Sequence, residues 1–270
     1  MDMDIRVDKT GFGDIIIKQR PMEFCYGVDA VLLAHEGSKY SSQKDSERII
    51  DLGSGTGIVP LILSHKTKSN HIYGVELQTN SYNLCIENVK ANKLESRLDF
   101  LNCNVKDLVE AMERQGNDKE TAGETGKENN EFVEKAKAMK GSFDLVTSNP
   151  PYTAGSCGLT SKNQAKAIAR HEIYGSLEDF MRCGAMLLKD KGHFVMIHRP
   201  NRLVDICYLG RKYKVEPKHV EFLAGKKGEK PNLVIVHFVK NGSPEIKVEA
   251  ASYIREKNGE YSERALGAYC

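Results

Sequence analysis

The stretch Asp144–Gly155, DLVTSNPPYTAG, runs from an apolar segment into Asn149, Pro150, Pro151 and Tyr152. Proline has no amide hydrogen and cannot continue a central strand, so a strand here must end in a bend. A residue before proline favours extended backbone, and each proline ring holds φ at about −65°. The bend therefore fixes two acceptors in advance, the side-chain oxygen of Asn149 and the backbone carbonyl of Pro150. Two fixed acceptors suit the two N–H bonds of an aromatic amine or a primary amide. Such nitrogens are poor nucleophiles because their lone pair is delocalised. Paired acceptors draw the nitrogen toward tetrahedral geometry and free the pair, which is electrostatic preorganisation. Tyr152 adds a flat face for a planar base, worth about 1–3 kcal/mol in stacking. The competing role for Tyr152 is a core aromatic.

A second constellation lies upstream. Asp51–Gly57, DLGSGTG, follows the apolar run ERIIDL and precedes the helical pattern IVPLILSHK. Glycines allow a tight turn and close approach of a ligand, and the amides at a helix start can hold an acceptor group. The strand-like HIYGVE then closes on Glu76, some twenty residues on, where an acid can hold a ribose hydroxyl pair. The spacing of Gly53, Gly55 and Gly57 is not the dinucleotide G-x-G-x-x-G, and no Lys-Ser/Thr follows to make a phosphate-gripping loop.

These residues need a frame, and the chain alternates regularly from residue 47. ERIIDL, HIYGVE, RLDFLN, FDLVTS and GHFVMIH read as strands. IVPLILSHK, QTNSYNLCIENVKANKL, VKDLVEAM and SLEDFMRCGAMLL read as helices, with Pro60 tolerated in a first turn and Ser176/Asp179 placed as a capping box. Strands separated by helices make βαβ units. HVEFLA and NLVIVHFVK, joined by GKKGEKP, read as an antiparallel edge hairpin. The expected fold is α/β, a doubly wound, mostly parallel seven-stranded sheet with that hairpin at its C-terminal end. Residues 1–46 form an extension, with a strand at DIIIKQ and a helix at 28–34, packing on a domain spanning 47–270. Residues 115–139 read as a disordered insertion, because GNDKETAGETGKENN holds only Ala122 as an apolar residue. A short helix around FVEKAKAM is compatible with it.

Composition sets the broad class. At 270 residues with 40% hydrophobic and 28% charged content, the chain is an ordinary globular protein. No apolar run reaches the roughly 20 residues that span a bilayer, and the acidic N-terminus resembles neither signal nor transit peptide. A cytoplasmic location is expected, with no membrane partner. Seven scattered cysteines without a Cys-x-x-Cys argue against zinc and against a disulfide framework. The net charge of +2 is uneven: residues 1–161 hold 19 basic and 24 acidic side chains, and residues 162–270 hold 20 and 13. Between Arg199 and Lys230 there are nine Lys/Arg against four Asp/Glu. Arg199, Arg211, Lys212 and Lys214 are therefore candidates for holding an anionic substrate.

The motif D-x-G-x-G-x-G resembles motif I of S-adenosylmethionine-dependent methyltransferases with a Rossmann-like sheet. That resemblance implies that Asp51, Gly53, Gly55 and Gly57 wrap the amino-acid end of the cofactor and that Glu76 binds its ribose. It also implies an adenine contact at the end of the third strand, where Asn104 stands in place of the usual acid, and it places Asn149 beside the cofactor's methyl group. NPPY is similar to the signature of adenine-N6 and glutamine-amide methyltransferases. With FCYGVDAVLLA (24–34), ARHEIYGSLEDF (169–180) and NGEYSERALGAY (258–269), nearly the whole chain resembles the bacterial tRNA (adenine-N6) methyltransferases that act beside the anticodon of valine tRNA. The partner this implies is tRNA, presented as a single-stranded loop adenine, which is cheaper to extract than a paired one. Tyr26, Gly27 and Asp29 would lie near the cofactor pocket, either touching the ligand or forming the entry and N-cap of the helix, while Arg170, His171 and Glu172 would face either solvent or substrate. Another RNA base or a protein glutamine are alternative acceptors, and a non-catalytic nucleic-acid-binding relative is the alternative outside enzymes.

Overall fold

The apolar runs that alternate with helices lie side by side at the centre of one sheet. The structure, a computed structural model, describes residues 5–21, 25–114, 124–152 and 175–270. A small hairpin, β1 (Arg6–Lys9) and β2 (Ile16–Gln19), precedes α1 (Val28–Ser38). The alternating part follows: β3 (Arg48–Leu52), α2 (Ile58–Lys66), β4 (His71–Glu76), α3 (Thr79–Ala91), β5 (Leu98–Asn102), α4 (Val105–Glu113), α5 (Glu124–Met139) and β6 (Phe143–Ser148). Then come α6 (Leu177–Leu187), β7 (Leu188–His198), a 3-10 turn (Pro200–Arg202), α7 (Leu203–Lys212), β8 (Val215–Lys226) and β9 (Pro231–Lys240). The chain closes with β10 (Lys247–Val248), β11 (Ser252–Arg255) and α8 (Glu263–Tyr269).

The sheet runs β10-β8-β9-β7-β6-β3-β4-β5, with β11 also paired to β8. It thus has nine strands rather than the expected seven, because β10 and β11 add short parallel pairings along β8. The hairpin is not the outermost edge for the same reason. β9 is antiparallel to both β7 and β8, while β3 to β7 are mutually parallel. Strand order reverses between β3 and β6, the switch point where open α/β sheets bind ligands.

Two cores flank the sheet, and the two-residue period of a strand feeds both. Ile50, Leu52, Val146 and Phe194 face the layer of α4 to α7. Ile49, Leu145 and Val195 face α1, α2, α3 and α8. Strands buried on both faces carry adjacent apolar residues, as at Ile49-Ile50 and Leu145-Val146, which is why RIIDL and FDLVTS stand out in the sequence. The capping box at Ser176 and Asp179 is formed in full.

A further expectation is corrected. The segment taken as disordered through Met139 is helical from Glu124, because Val133, Ala136 and Met139 recur on one face and are buried against α4. Residues 115–123 lie outside the described residues.

The N-terminal hairpin is tied down by polar side chains. Asn88 on α3 and Asn92 at its C-cap, one turn apart, act like a neighbouring strand for β2. The Ile16 and Lys18 amides donate to Asn92 Oδ1 (2.9 Å) and Asn88 Oδ1 (2.6 Å), and the two side-chain amides donate back to the carbonyls of the same residues. Asn88 also donates to the Thr56 carbonyl at 2.9 Å, so hairpin, helix and glycine loop meet at one buried amide. α1 packs on α2 and on β7, which carries its first turn over the open end of the sheet.

Candidate active site

The loop after β3 turns through left-handed backbone at Gly53 (φ +77°), Gly55 (φ +56°) and Gly57 (φ +83°). Side chains rarely adopt that region. Gly55 also has nothing within 4 Å of where a Cβ would stand, so the backbone lies open to a ligand. The loop is held at its base, where the Gly53 and Ser54 amides donate to the Val75 carbonyl (2.9 and 3.0 Å). Its tip is held by Glu76, whose carboxylate accepts from the amides of Gly55 (2.8 Å) and Gln78 (2.7 Å). Burial raises the Glu76 carboxyl above its ordinary value, opposed by those amides.

Asp51 ends the strand beneath the loop. It is 2% exposed and accepts from Thr147 Oγ1 at 2.7 Å. Burial lifts its carboxyl to about 7, against the hydrogen bonds from Thr147 and Ser54. A carboxyl poised there gains most from a cation bound beside it.

Asn149, Pro150, Pro151 and Tyr152 leave the end of β6, which lies next to β3 in register Ser148 to Leu52. Asn149 Nδ2 donates to Asp29 Oδ2 at 3.3 Å, and the Tyr152 hydroxyl donates to the same oxygen at 3.5 Å. Asn149 Oδ1 is shut off from solvent and accepts from no protein group. The Arg199 guanidinium lies 4.6 Å over the Tyr152 ring, covering one face, while His198 meets that ring edge-on at 5.2 Å. His198 is pushed down to about 4, first by burial and then by Arg202, so it is neutral near pH 7. The Tyr152 phenol is held above its ordinary value by burial and by the Asp29 charge.

One cavity of about 600 Å³ collects these groups. Asp51, Gly53, Gly55, Glu76, Asn104, Asn149, Pro150, Tyr152 and Arg199 all line it, together with Tyr26 and Asp29. Gly57 does not; it is the N-cap of α2 and supports the turn from behind. Asn104 caps α4, its oxygen accepting from the Lys106 amide at 3.0 Å. Phe180, Leu77 and Val105 also line the cavity without having been singled out in the sequence. Phe180 reads there as an ordinary apolar residue of α6, and only the close approach to Gly53 brings it into the site.

Three expected substrate residues lie elsewhere. Arg211 and Lys212 end α7 and Lys214 lies just before β8, whose first residue Val215 pairs with Lys240. The cavity end of β8 is near Phe222, which pairs with Val234, itself opposite His198. The seven residue steps from Val215 to Phe222 amount to about 23 Å of strand. Arg211 is also held by Glu216 (2.7 Å) and Lys212 by Glu178 (2.5 Å). The basic residues nearer the cavity are Lys226, Lys227 and Lys230 of the exposed β8–β9 turn. Arg170, His171 and Glu172 lie outside the described residues. Among the described residues no group of His, Cys, Asp or Glu is arranged to hold a metal, and no helix is long and apolar enough to cross a membrane.

Comparison with known proteins agrees with this architecture. The tRNA1(Val) (adenine(37)-N6)-methyltransferase of Flavobacterium johnsoniae is 21% identical over 238 residues, 88% of each chain. The protein of the same name from Bacteroides thetaiotaomicron is 24% identical, covering 88% of this chain and 85% of its own. Among solved structures, a predicted O-methyltransferase from Agrobacterium tumefaciens superposes with a TM-score of 0.63 at 16% identity, over 89% of this chain and 95% of that one. TYW2 from P. horikoshii, in complex with MeSAdo, gives 0.55 at 13% identity, over 90% and 73%. The fold is therefore the Rossmann-like methyltransferase fold, enlarged by the strands along β8. Residues 70–221, more than half of the chain, match the model of the Eco57I restriction-modification methylases, and the chain belongs to that family.

Proposed function

We propose that this protein is an S-adenosylmethionine-dependent methyltransferase that modifies the exocyclic N6 amine of an adenosine in RNA, namely the adenosine beside the anticodon of valine tRNA. The observation that carries this is the sharing of one cavity by the glycine loop with Glu76 and by the Asn149–Tyr152 bend. The cavity fits the cofactor on its own features: the backbone at Gly55 is open, and Glu76 and Asp51 offer buried acceptors on the two sides of the loop. Glu76 keeps lone pairs for a ribose hydroxyl pair beyond the two amides it already holds. Asp51 and the loop amides serve the amino-acid end, and Asn104, which lines the cavity, takes the adenine. The cofactor supplies an electrophilic methyl group on a sulfonium. Asn149 Oδ1 and the Pro150 carbonyl accept the two N–H bonds of the target amine and localise its lone pair, so no general base is required before transfer. Neutral His198 is packed against Tyr152 and bonded through Nδ1 to the Arg199 amide at 2.7 Å, so it braces the bend.

Tyr152 offers a stacking face for a planar base while Arg199 backs the ring, and the paired acceptors select a base with an exocyclic amine. RNA is favoured over DNA by the two tRNA-modifying relatives, which match along most of their length. The family's own description names restriction-modification methylases, so duplex DNA is the competing acceptor. Labelled S-adenosylmethionine incubated separately with total tRNA, duplex DNA and cell protein decides between them. Label in tRNA, recovered as N6-methyladenosine, is the expected result. Label in DNA or in a protein glutamine would replace the substrate, and label in none would leave a binding protein.

A further inference from the structure

Asn149 can act as an acceptor only if its amide is turned the right way, and the two orientations of an amide are nearly equal in shape. In this fold one carboxylate faces it. Asp29 Oδ2 lies 3.3 Å from Asn149 Nδ2 and 3.5 Å from the Tyr152 hydroxyl, and a carboxylate can only accept. Turning the amide over would set Oδ1 against that charge. The other orientation leaves Oδ1 as the buried acceptor with no protein donor. We infer that Asp29 is a positioning residue: it fixes the Asn149 amide and the Tyr152 hydroxyl so that the Asn149 oxygen is held for the substrate amine. This inference rests on the proposed amino-group chemistry of the cavity.

The chain builds Asp29 for this purpose. It stands in the first turn of α1, where the helix dipole favours an anion, and its Oδ1 accepts from the Ala30 amide at 3.0 Å. Oδ1 is thereby tied down and Oδ2 is left to the bend. Gly27 makes the room. A Cβ at residue 27 would stand 2.8 Å from Asp29 Oδ1, so any side chain there pushes the carboxylate aside. The Gly27 backbone is extended (φ −111°, ψ −179°), so Gly27→Ala carries no backbone strain and moves the carboxylate without removing its charge. Asn149 Oδ1 is covered in this arrangement, so an entering base must displace a neighbour.

The test is a double-mutant cycle. Asp29→Asn, isosteric and uncharged, is made in the wild-type and in the Asn149→Ala backgrounds, with Gly27→Ala alongside. In the wild-type background Asp29→Asn should lower single-turnover methyl transfer about ten- to a hundred-fold, the worth of one charge-assisted hydrogen bond. Gly27→Ala should lower it in the same direction. In the Asn149→Ala background Asp29→Asn should add less than about twofold, because it acts through the missing amide. The dissociation constant for S-adenosylmethionine should stay within about threefold throughout. Equal losses in both backgrounds would overturn the inference, and so would a parallel loss of cofactor affinity, which would make Asp29 a direct cofactor ligand. The Asn149 side-chain NH₂ resonances give a readout independent of activity. They should be protected from exchange in the wild type and lose that protection in Asp29→Asn; unchanged protection also overturns the inference. If the wild type transfers no methyl group to any acceptor, the proposed function falls while these resonances still decide on the clamp.

Discussion

Asp51 gives the most quantitative prediction, because its burial sets a proton against the cofactor. Its carboxyl stands at about 7 in the ligand-free protein against an ordinary value of 3.8. If the cofactor's ammonium end lies beside Asp51, the bound state favours the carboxylate, and a proton leaves on binding. At pH 5 about 99 in 100 unliganded molecules carry that proton and at pH 7 about half, so S-adenosylmethionine should bind roughly 50-fold more weakly at pH 5 than at pH 7. The comparison stops at pH 7 because an α-amino group loses its own proton near pH 8. Titration calorimetry at pH 6 in two buffers of different ionisation enthalpy should register about 0.9 proton released per cofactor bound. Asp51→Asn should remove most of that pH dependence and proton release, leaving the share of the raised Glu76 carboxyl. A wild-type affinity independent of pH, without proton release, would refute the placing of a cation at Asp51. The same raised carboxyl affects folding with the opposite sign. Its contribution to stability is complete below about pH 4 and is lost as pH rises through 7, about 4 kcal/mol in all for the ligand-free protein.

Three further outcomes follow from named contacts. Glu76→Ala should weaken S-adenosylmethionine binding by about ten- to a hundred-fold, because it removes the ribose acceptor and frees the Gly55 amide; an unchanged dissociation constant would remove Glu76 from the cofactor site. Asn88→Ala should cost about 2–4 kcal/mol in denaturant unfolding, because a buried amide is lost and the Lys18 amide and the Lys18 and Thr56 carbonyls lose their partner. Charge reversal at Lys226, Lys227 and Lys230 should weaken tRNA binding and flatten its salt dependence more than reversal at Arg211, Lys212 and Lys214, since the first group lies at the cavity end of β8 and the second at the opposite end. Equal effects in a filter-binding titration would place the RNA across the whole length of the sheet.

Much of the site was legible because its parts are backbone devices that leave a mark in residue type. The glycine loop needs left-handed backbone, the Asn-Pro-Pro bend needs rings, and RIIDL and FDLVTS need to be apolar on both faces. What the sequence concealed depends on partners distant along the chain. Asp29 and Asn149 are 120 residues apart, and nothing local to either announces the contact. Asn88 and Asn92 look like ordinary polar helix residues until β2 lies against them. α5 was obscured because its burying residues, Val133, Ala136 and Met139, come late in the helix, after a polar first half. A run of basic residues says nothing about which end of a strand it occupies, and so Arg211, Lys212 and Lys214 were expected in a site that lies about 23 Å of strand away. β10 and β11 are too short to leave any pattern, which is why the sheet has more strands than the alternation suggested.

The central claim is that the Asn149 oxygen and the cofactor cavity serve one transferred methyl group, and Asn149→Ala tests it most directly. With tRNA as acceptor, single-turnover transfer should fall by about 10²–10³, the cost of removing one preorganised hydrogen-bond partner, and N6-methyladenosine should disappear from the digested product. S-adenosylmethionine should bind the variant within about threefold of the wild type. Undiminished methylation by Asn149→Ala would contradict the account.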